Sequence, residues 1–256
     1  MKVVTDAREL PSACAFVPTM GALHAGHASL FTLAKKYNAD IVASIFVNPL
    51  QFESEEDLST YPRTPEIDIE IAASSGVTHL WLPKQAEIYP EDFRKLSAGP
   101  MGDIYEGKSR SGHFDGVLTV VGRLFDLVQP KFAIFGEKDF QQLQLIKTIS
   151  GDVEIVTAPT IREADGVAMS SRNSRLTPEG RVAAQVVYKA LSQSKSEVEL
   201  REILATEPAF TLDYADYIDE NTFAHAQADT HAVRAIVAGW INGVRLIDNV
   251  PMGMRA

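Results

Sequence analysis

The sequence predicts an α/β fold built around a doubly wound parallel sheet, because short apolar runs alternate with helix-patterned segments over residues 1–160. Five of these runs have the length and composition of buried strands. Parallel neighbours need a crossover connection, and the segments between the runs are long enough to supply it as helices. In sheets of this kind, ligands bind beyond the carboxyl ends of the strands.

Each predicted element is bounded by turn or capping residues. The first strand, 13–17, is expected to stop at Pro18, since proline cannot donate to a ladder. Thr64 and Pro65 predict the start of a helix, and Gly76 predicts its end. The other expected strands are 41–47, 77–82, 132–135 and 153–156, and the other expected helices follow Pro18, cover 117–128 and cover 140–149.

The pattern changes after about residue 160. One helix, 178–192, and a polar stretch precede three closely spaced strand candidates, 212–218, 232–238 and 244–247. The last two are joined by Asn242-Gly243, a dipeptide typical of a tight hairpin. The sequence therefore predicts two domains: a parallel-sheet domain over 1–160 and a smaller α+β domain with an antiparallel sheet over 161–256.

Composition narrows the class of function. The formal net charge is −10 and no dense Lys/Arg block occurs, which disfavours nucleic acid as a partner. No apolar run reaches the roughly 18 residues of a membrane span, and the N-terminus does not resemble a targeting signal. A single cysteine, Cys14, fits a reducing compartment and the role of a small apolar side chain. We expect a cytoplasmic protein with small-molecule substrates and no membrane partner.

One segment follows the first predicted strand and opens the first predicted helix. Backbone N–H groups at such a junction bind phosphate, and imidazole N–H groups can donate to it as charge develops. An isolated His-x-x-His also fits half of a metal site, although the zincin glutamate is absent, and a purely structural role stays open. The candidate ATP-binding residues here are Pro18, Thr19, Met20, Gly21, Ala22, Leu23, His24, Ala25, Gly26 and His27.

Two further segments carry groups that suit polyphosphate. A lysine supplies a point charge, an aspartate suits ribose hydroxyls, and hydroxyls beside a guanidinium supply many donors. Taken singly, the lysine segment also fits a surface lysine beside a helix cap, and the serine segment also fits a surface turn. Together with the first segment they form an ATP-binding hypothesis; the residues are Gly136, Glu137, Lys138 and Asp139 in one segment and Met169, Ser170, Ser171 and Arg172 in the other.

Seven longer strings, met in order along the chain, are more specific than any single motif. They are 18–30 (PTMGALHAGHASL), 44–52 (SIFVNPLQF), 61–64 (YPRT), 112–119 (GHFDGVLT), 135–146 (FGEKDFQQLQLI), 159–176 (PTIREADGVAMSSRNSRL) and 245–249 (RLIDN). Together they resemble the pantothenate synthetase (pantoate–β-alanine ligase) family from Phe16 to Asn249.

The resemblance implies a Rossmann-like nucleotidylyltransferase fold and a ligase that adenylates pantoate with ATP and then transfers the pantoyl group to β-alanine. It implies that His27 is a proton donor with His24 beside it. Lys138 and Arg172 would neutralise the triphosphate, and Ile161 would contact adenine. The residues expected at pantoate and β-alanine are Gln51, Gln142, Asn48, Tyr61 and Arg110, the last on a mobile flap with His113.

The resemblance also implies Mg²⁺ and a homodimer. The metal ligands stay open, with Asp68 as one candidate carboxylate. Two other functions fit the same fold. One is a nucleotidylyltransferase that leaves the nucleotide on its product, or a relative acting on tRNA; the other is a binding module without activity. The paired glutamines and the acidic balance favour the ligase over the first, and the retained His24, His27, Lys138 and Arg172 favour it over the second.

Overall fold

The computed structural model describes residues 1–253. The chain divides into two compact units. The first unit contains Met1–Glu137 and Gln141–Pro159, and the second contains Lys138–Phe140 and the chain from Thr160 onwards. The tripeptide Lys138–Phe140 thus interrupts the first unit in sequence but makes its contacts with the second.

The first unit is built on a parallel sheet, as the sequence predicts. Its six strands are β1 (Lys2–Val4), β2 (Ala15–Thr19), β3 (Ile41–Ile45), β4 (His79–Trp81), β5 (Phe132–Gly136) and β6 (Glu154–Ala158). They lie in the order β1-β4-β3-β2-β5-β6, and every pairing is parallel. The chain runs outward from β2 in one direction and from β5 in the other. The strand order reverses between these two strands, where doubly wound sheets bind their ligands.

Helices cover the sheet of the first unit. They are α1 (Ala25–Ala34), α2 (Glu55–Thr60), α3 (Pro65–Ser74), α4 (Gln85–Ile88), α5 (Glu106–Ser109), α6 (His113–Val128) and α7 (Phe140–Thr148). One core joins Phe31 and Ala34 of α1 to Ile134 and Val156 of the sheet. The predicted helices are confirmed, but α6 begins four residues before the expected 117, since its first turn contains the polar His113 and Asp115. Within residues 1–253 no helix has the length and apolar character needed to cross a bilayer.

One strand prediction was wrong in detail, and one strand was not predicted. β2 does not stop at Pro18 but continues through Thr19, with Pro18 in register with Ser44. Proline lacks only the N–H of one ladder bond, and the hydroxyl of Thr19 supplies another contact by donating to the carbonyl of Ser44 at 2.7 Å. β1 was not predicted, because a three-residue edge strand paired with β4 carries too short a pattern to recognise.

The second unit is an antiparallel sheet covered by two helices. These elements are α8 (Pro178–Gln193), α9 (Glu197–Leu204), β7 (Phe210–Asp219), β8 (Val233–Ile241) and β9 (Val244–Pro251). The strands pair in the order β7-β8-β9. Leu191 of α8, Leu200 of α9 and Val237 of β8 belong to one buried cluster. The predicted Asn242-Gly243 turn joins β8 to β9 with φ angles of 50° and 77°, the left-handed region that a two-residue hairpin turn requires.

Candidate functional site

Two histidines cap the first helix of the first unit. His24 is the N-cap of α1, and its Nδ1 accepts a hydrogen bond from the N–H of Gly26 at 3.1 Å. The Nδ1 of His27 accepts from the N–H of His24 at 3.3 Å. The two ring centroids lie 4.2 Å apart. The helix therefore begins in a capping box made of two imidazoles rather than the usual hydroxyl and carboxylate.

This double cap fixes the tautomer of both rings. A nitrogen that accepts from a backbone N–H carries no proton, so each neutral imidazole bears its hydrogen on Nε2. Each ring is thereby a donor at Nε2, the arrangement that suits an anionic oxygen. The first turn of α1 contains no acidic side chain to offset the positive end of the helix. Charge and donor pattern both favour an anion here.

A buried carboxylate holds the loop that leads into α1. Asp68, which is 2% exposed, accepts from the N–H groups of Ala22 and Leu23 at 3.1 and 2.7 Å. The hydroxyl of Thr64 donates to the same carboxylate at 3.0 Å. Gly21 has a φ of 80°, and a Cβ there would lie 2.8 Å from the Asp68 carboxylate. The glycine is required by both the backbone conformation and the space.

These contacts change the interpretation of the loop. The sequence predicts that its backbone N–H groups face the ligand, but several of them donate within the protein. Gly21 donates to the Oγ1 of Thr19 at 3.2 Å, Ala22 and Leu23 to Asp68, and His24 and Gly26 to imidazole nitrogens. The internal contacts of these five backbone N–H groups shift attention to the imidazoles, whose Nε2–H groups are candidate donors to a phosphate. Pro18, Met20 and Ala25 lie in the same stretch.

An amide network fixes the turn after β3. The hydroxyl of Tyr89 donates to Oδ1 of Asn48 at 2.6 Å, and the N–H of Leu50 donates to the same oxygen at 3.2 Å. With its oxygen so assigned, Asn48 turns its Nδ2 to Oε1 of Gln51 at 3.0 Å and to the carbonyl of Gly116 at 3.1 Å. Burial raises the pKa of Tyr89 well above its usual value, so its hydroxyl keeps the proton that it donates.

The network determines what Gln51 can offer a ligand. Its Oε1 is taken by Asn48, so its Nε2 is the group that remains directed elsewhere, 3.1 Å from the sulfur of Met20. A thioether is a weak acceptor. A carboxylate or hydroxyl oxygen placed near Gln51 and Met20 would be a better partner for this amide N–H than the sulfur is.

Helix α6 approaches the turn closely. A Cβ on Gly116 would lie 2.2 Å from the carbonyl oxygen of Leu50, so only glycine allows the contact. Nδ1 of His113 lies 2.8 Å from the carbonyl of Gln51. Arg110, expected to contact substrate, donates to a carboxylate oxygen of Glu53 at 2.9 Å and lies 3.0 Å from Nε2 of His113. In this structure Arg110 therefore braces the turn that carries Gln51.

The two glutamines at the start of α7 have different surroundings. The buried Gln141 donates from Nε2 to the carbonyls of Met101 and Ile104 at 2.7 and 2.9 Å, and accepts from the N–H of Glu106 at 3.1 Å. It anchors the segment before α5. Gln142, the residue predicted to bind substrate, is only half-buried. The last predicted substrate residue, Tyr61, packs edge to face against Phe52 at 5.5 Å.

Lys138 and Asp139 of one predicted phosphate segment, and the whole Ser-rich segment, belong to the second unit and make local contacts. Nζ of Lys138 lies 3.6 Å from a carboxylate oxygen of Asp139, directly after Gly136 and Glu137 in the chain. Ser170 caps the 3-10 turn Ser171–Arg175 by accepting from the N–H of Arg172 at 3.3 Å. Part of the Ser-rich segment therefore acts as a cap of this short turn.

The adenine candidate lies in a short bridge of the second unit. The carbonyl of Ile161 accepts from the N–H of Met169 at 2.9 Å, and Arg162 pairs with Ala168. Arg162 makes a bidentate ion pair with Asp248 of β9, at 2.5 and 2.9 Å, and its guanidinium lies 4.0 Å from the ring centroid of Tyr188. The Ile161 segment is thus fixed to the antiparallel sheet.

One three-residue group in the second unit has metal-ligand chemistry. Glu197, Asp216 and His225 bring potential ligand atoms within 4.8 Å of one another. The guanidinium of Arg201 already binds both carboxylates, at 3.3 and 2.5 Å, which offsets part of their charge. Asp68 of the first unit, the other candidate ligand, is occupied by Ala22, Leu23 and Thr64. Neither set fits a hydrated Mg²⁺ as it stands, because this ion needs open oxygen ligands.

Sequence reasoning missed Tyr89 and assigned a different role to Asp68, two residues that shape the first unit's candidate site. Tyr89 orients Asn48, but a tyrosine before a proline carries no distinguishing pattern. Asp68 was expected only as a candidate metal ligand, but the folded position of α3 buries it and it binds the loop before α1 instead. A signal existed for Asp68, since Thr64-Pro65 correctly predicts the helix start and places Asp68 on its first turn.

Fold and site together define a class. A doubly wound sheet with a histidine-capped helix after β2, at the point where the strand order reverses, is typical of an α/β protein that binds a nucleotide or another phosphate ligand. The family model described as Pantoate-beta-alanine ligase matches residues 1–251. The chain belongs to the pantoate–β-alanine ligase family.

Individual relatives agree with this family. A pantothenate synthetase from Acidothermus cellulolyticus is 45% identical, over 93% of this chain and 85% of the relative. The crystal structure of pantothenate synthetase from Thermus thermophilus superposes with a TM-score of 0.92 at 41% identity, covering 99% of this chain and 100% of that chain. A Francisella tularensis pantoate-beta-alanine ligase, described as complexed with beta-gamma ATP and beta-alanine, gives a TM-score of 0.84 at 36% identity, covering 98% of both chains.

Proposed function

We propose that this chain is an ATP-dependent ligase that condenses pantoate with β-alanine to give pantothenate, AMP and pyrophosphate. Membership of the pantoate–β-alanine ligase family supports this class of reaction. The observation in the chain itself that best supports it is the double imidazole cap of α1, which directs two Nε2–H donors from a helix start. Such donors stabilise an oxyanion that gains charge in a transition state.

We further propose that the reaction passes through pantoyl-adenylate. One carboxylate oxygen of pantoate attacks the α-phosphorus of ATP, and the bond from that phosphorus to the β-phosphate oxygen breaks to release pyrophosphate. The substrate supplies the nucleophile, so the protein needs none. Cys14 fits this account, because burial raises the pKa of its thiol to about 12 and it is fully buried. The task of the chain is alignment and charge neutralisation.

His27 and His24 are proposed to donate from Nε2 to the non-bridging oxygens of the α-phosphate. The negative charge on these oxygens rises in the transition state, so a fixed donor binds the transition state more tightly than ATP. The hydrogen bonds to Nδ1 keep the proton on Nε2 and hold each ring in place. Asp68 supports the same geometry by fixing the loop that precedes the two rings.

Lys138 and Arg172 are proposed to neutralise the β- and γ-phosphates, the first as a point charge and the second as a fork of donors. Gly136, Glu137 and Asp139 would contact ribose and phosphate, and Ile161 would border adenine. Ser171 would donate to the triphosphate with Arg172. Ser170 keeps its cap role as well, since its oxygen accepts from the N–H of Arg172 and positions that residue.

Pantoate is proposed to bind at Gln51 and Gln142. The amide network favours a substrate acceptor at Nε2 of Gln51, which suits the carboxylate or hydroxyl oxygens of a hydroxy acid. Asn48 acts by orienting Gln51, and Tyr61 borders the same region. Arg110 would have to leave Glu53 to reach a substrate, so its first role is to brace the turn.

In the second half-reaction the amine of β-alanine attacks the carbonyl carbon of pantoyl-adenylate, and the bond from that carbon to the phosphate oxygen breaks to release AMP. An alkyl amine has a pKa of about 10, so the amine must lose a proton before or during the attack. We propose that Mg²⁺ enters with ATP as MgATP, that the enzyme is a homodimer, and that it works in the cytoplasm. We assign the ATP- and pantoate-binding role to residues 1–160 and a covering role to 161–256.

The proposal is tested by substrate omission. Purified protein is incubated with ATP, Mg²⁺, pantoate and β-alanine, and AMP, pyrophosphate and pantothenate are measured as each component is left out. All three products should form in equal amounts and only from the complete mixture, apart from a single enzyme equivalent of pyrophosphate without β-alanine. Retention of the nucleotide on a stable product would instead identify a nucleotidylyltransferase. Activity with no requirement for pantoate would contradict the proposal.

A further inference from the structure

The string RLIDN, residues 245–249, is part of the family resemblance but has no role in the reaction proposed above. It lies in β9, within the second unit. Asp248 and Asn249 are each 5% exposed, although they are adjacent and point to opposite faces of the strand. Burial of two neighbouring polar side chains requires partners on both faces.

Asn249 has a partner at each end of its amide. Its Nδ2 donates to the backbone carbonyl of Lys138 at 2.8 Å, and its Oδ1 accepts from Nη1 of Arg234 at 2.5 Å. A guanidinium can only donate, so Arg234 fixes which end of the amide is oxygen. The nitrogen of Asn249 must then face Lys138, a residue 111 positions earlier in the chain.

Arg234 is itself held on several sides. Its Nε donates to Glu220 at 3.0 Å, and its side chain is 6% exposed. Its guanidinium lies 3.9 Å from the ring centroid of Phe140, a cation–π distance. The other partner of that ring is Phe223, stacked at 5.5 Å with an interplanar angle of 26°.

Residues of the second unit therefore contact the tripeptide Lys138–Phe140 at both of its ends. Asn249 holds the carbonyl of Lys138, and Arg234 with Phe223 holds the ring of Phe140. Fixing the peptide plane after Lys138 restricts the directions open to its Cα–Cβ bond. The lysine side chain is flexible, so this direction decides which region its ammonium reaches.

We propose that Asn249 is a positioning residue for Lys138, and that it sets the approach of the lysine ammonium to the phosphates of ATP. This inference rests on the proposed role of Lys138 as a phosphate ligand. Lys138 has a competing carboxylate close by, since its Nζ lies 3.6 Å from Asp139. To bind a phosphate, the ammonium must leave Asp139. A backbone held in the productive orientation lowers the entropic cost of that exchange, because fewer conformations of the lysine have to be excluded.

The sharpest variant is Asn249→Asp. It preserves shape and the acceptor for Arg234, but it replaces the N–H that reaches the Lys138 carbonyl with a charged oxygen that cannot donate. We expect the KM for ATP to rise, or the rate of pantoyl-adenylate formation to fall, by roughly tenfold, while the KM for pantoate stays within about twofold of wild type. Asn249→Ser removes the same contact without adding a charge and should shift the same constants in the same direction. Thermal unfolding of each variant verifies that the fold is retained.

Asn38→Asp is the matched control. Nδ2 of Asn38 also donates to a backbone carbonyl, that of Ala13 at 2.8 Å, at an exposed position in the first unit. The substitution therefore removes the same kind of hydrogen bond at a position that does not contact Lys138. Its kinetic constants should stay within about twofold of wild type.

A double-mutant cycle separates this inference from the function on which it rests. If Asn249 acts through the lysine ammonium, Asn249→Asp should change the adenylation rate by less than about twofold in a Lys138→Ala background. An equal loss in both backgrounds, or a folded Asn249→Asp enzyme with wild-type constants, overturns the inference while leaving the role of Lys138 intact. Wild-type adenylation by Lys138→Ala itself overturns that role and the inference with it.

Discussion

The two units hold their candidate site residues by different physical means. In the first unit, one buried carboxylate and a set of neutral amides fix the loops: Asp68 binds Ala22 and Leu23, and Asn48 orients Gln51. In the second unit, guanidinium–carboxylate pairs fix the corresponding segments. Arg162 binds Asp248, and Arg181 binds Asp165 at 2.8 Å.

This difference predicts how each unit responds to mutation, salt and pH. Water cannot readily take the place of a buried acceptor such as the Asp68 carboxylate. Its loss therefore leaves the N–H groups of Ala22 and Leu23 without an acceptor. A partly exposed ion pair is weakened by salt and by protonation, but its loss costs little. Changes in the first unit should therefore act mainly on activity through geometry. Changes to the partly exposed Arg181–Asp165 pair of the second unit should act through charge and depend on the solution conditions, whereas Asp248, the partner of Arg162, is buried.

The largest effects are expected where a charge or donor to ATP itself is removed. His27→Ala in the first unit and Lys138→Ala in the second should each lower single-turnover formation of pantoyl-adenylate by on the order of 10²-fold or more. The exposed His231→Ala and Lys147→Ala serve as controls and should retain wild-type rates. A wild-type rate in either test variant would show that its unit does not supply the assigned phosphate contact.

The next largest effect is expected for Asp68→Asn. The amide nitrogen would face one of the two loop N–H groups, so a donor would oppose a donor where Asp68 now accepts from Ala22 and Leu23. We expect adenylation to slow by roughly 30-fold, by quench-flow, with the fold retained by circular dichroism. Glu66→Gln, an exposed carboxylate of the same helix, is the control. Equal rates for the two variants would refute the positioning role of Asp68.

A smaller effect is expected for Tyr89→Phe. Loss of the hydroxyl leaves Oδ1 of Asn48 with the N–H of Leu50, so the orientation of Gln51 is less well fixed. The KM for pantoate should rise by roughly fivefold and the KM for ATP should not change. Tyr37→Phe is the control, because Tyr37 is 39% exposed. A change confined to ATP would contradict the amide network as a determinant of pantoate binding.

The smallest effect is expected for an ion pair of the second unit. Hydrogen bonding by Arg181 lowers the pKa of Asp165, so the pair stabilises the folded state above the ordinary aspartate pKa and loses this contribution as pH falls through the lowered value. Asp165→Asn should reduce the free energy of unfolding by less than about 1 kcal/mol at pH 7. Urea titrations should show this difference shrinking below about pH 4 and in high salt. A difference that stays constant from pH 7 to pH 3 would contradict the assignment.

Much of the fold could be predicted from local pattern. The parallel strands are apolar because both faces are covered, and the Asn242-Gly243 turn has its own conformational preference. The end of β2 could not be predicted, since Pro18 is tolerated only because of where the ladder and Thr19 lie. The three-residue β1 is defined by its pairing with β4 rather than by its own sequence.

The candidate site was less accessible to prediction. Residue types identified His24 and His27, but not that each Nδ1 accepts a backbone N–H and thereby sets the tautomer. The same is true of the loop N–H groups, which are taken by Asp68, 45 and 46 residues away. Contacts between distant positions decide which polar groups stay available, and a single sequence does not contain them.

The most direct test of the proposed chemistry follows the oxygen atoms of pantoate. Pantoate labelled with ¹⁸O in both carboxylate positions is converted with ATP and β-alanine, and the products are analysed by mass spectrometry. If the carboxylate attacks the α-phosphorus, one ¹⁸O must appear in the phosphoryl group of AMP and the other in the amide carbonyl of pantothenate. Label in inorganic phosphate with ADP as coproduct, or AMP without label, would contradict the account.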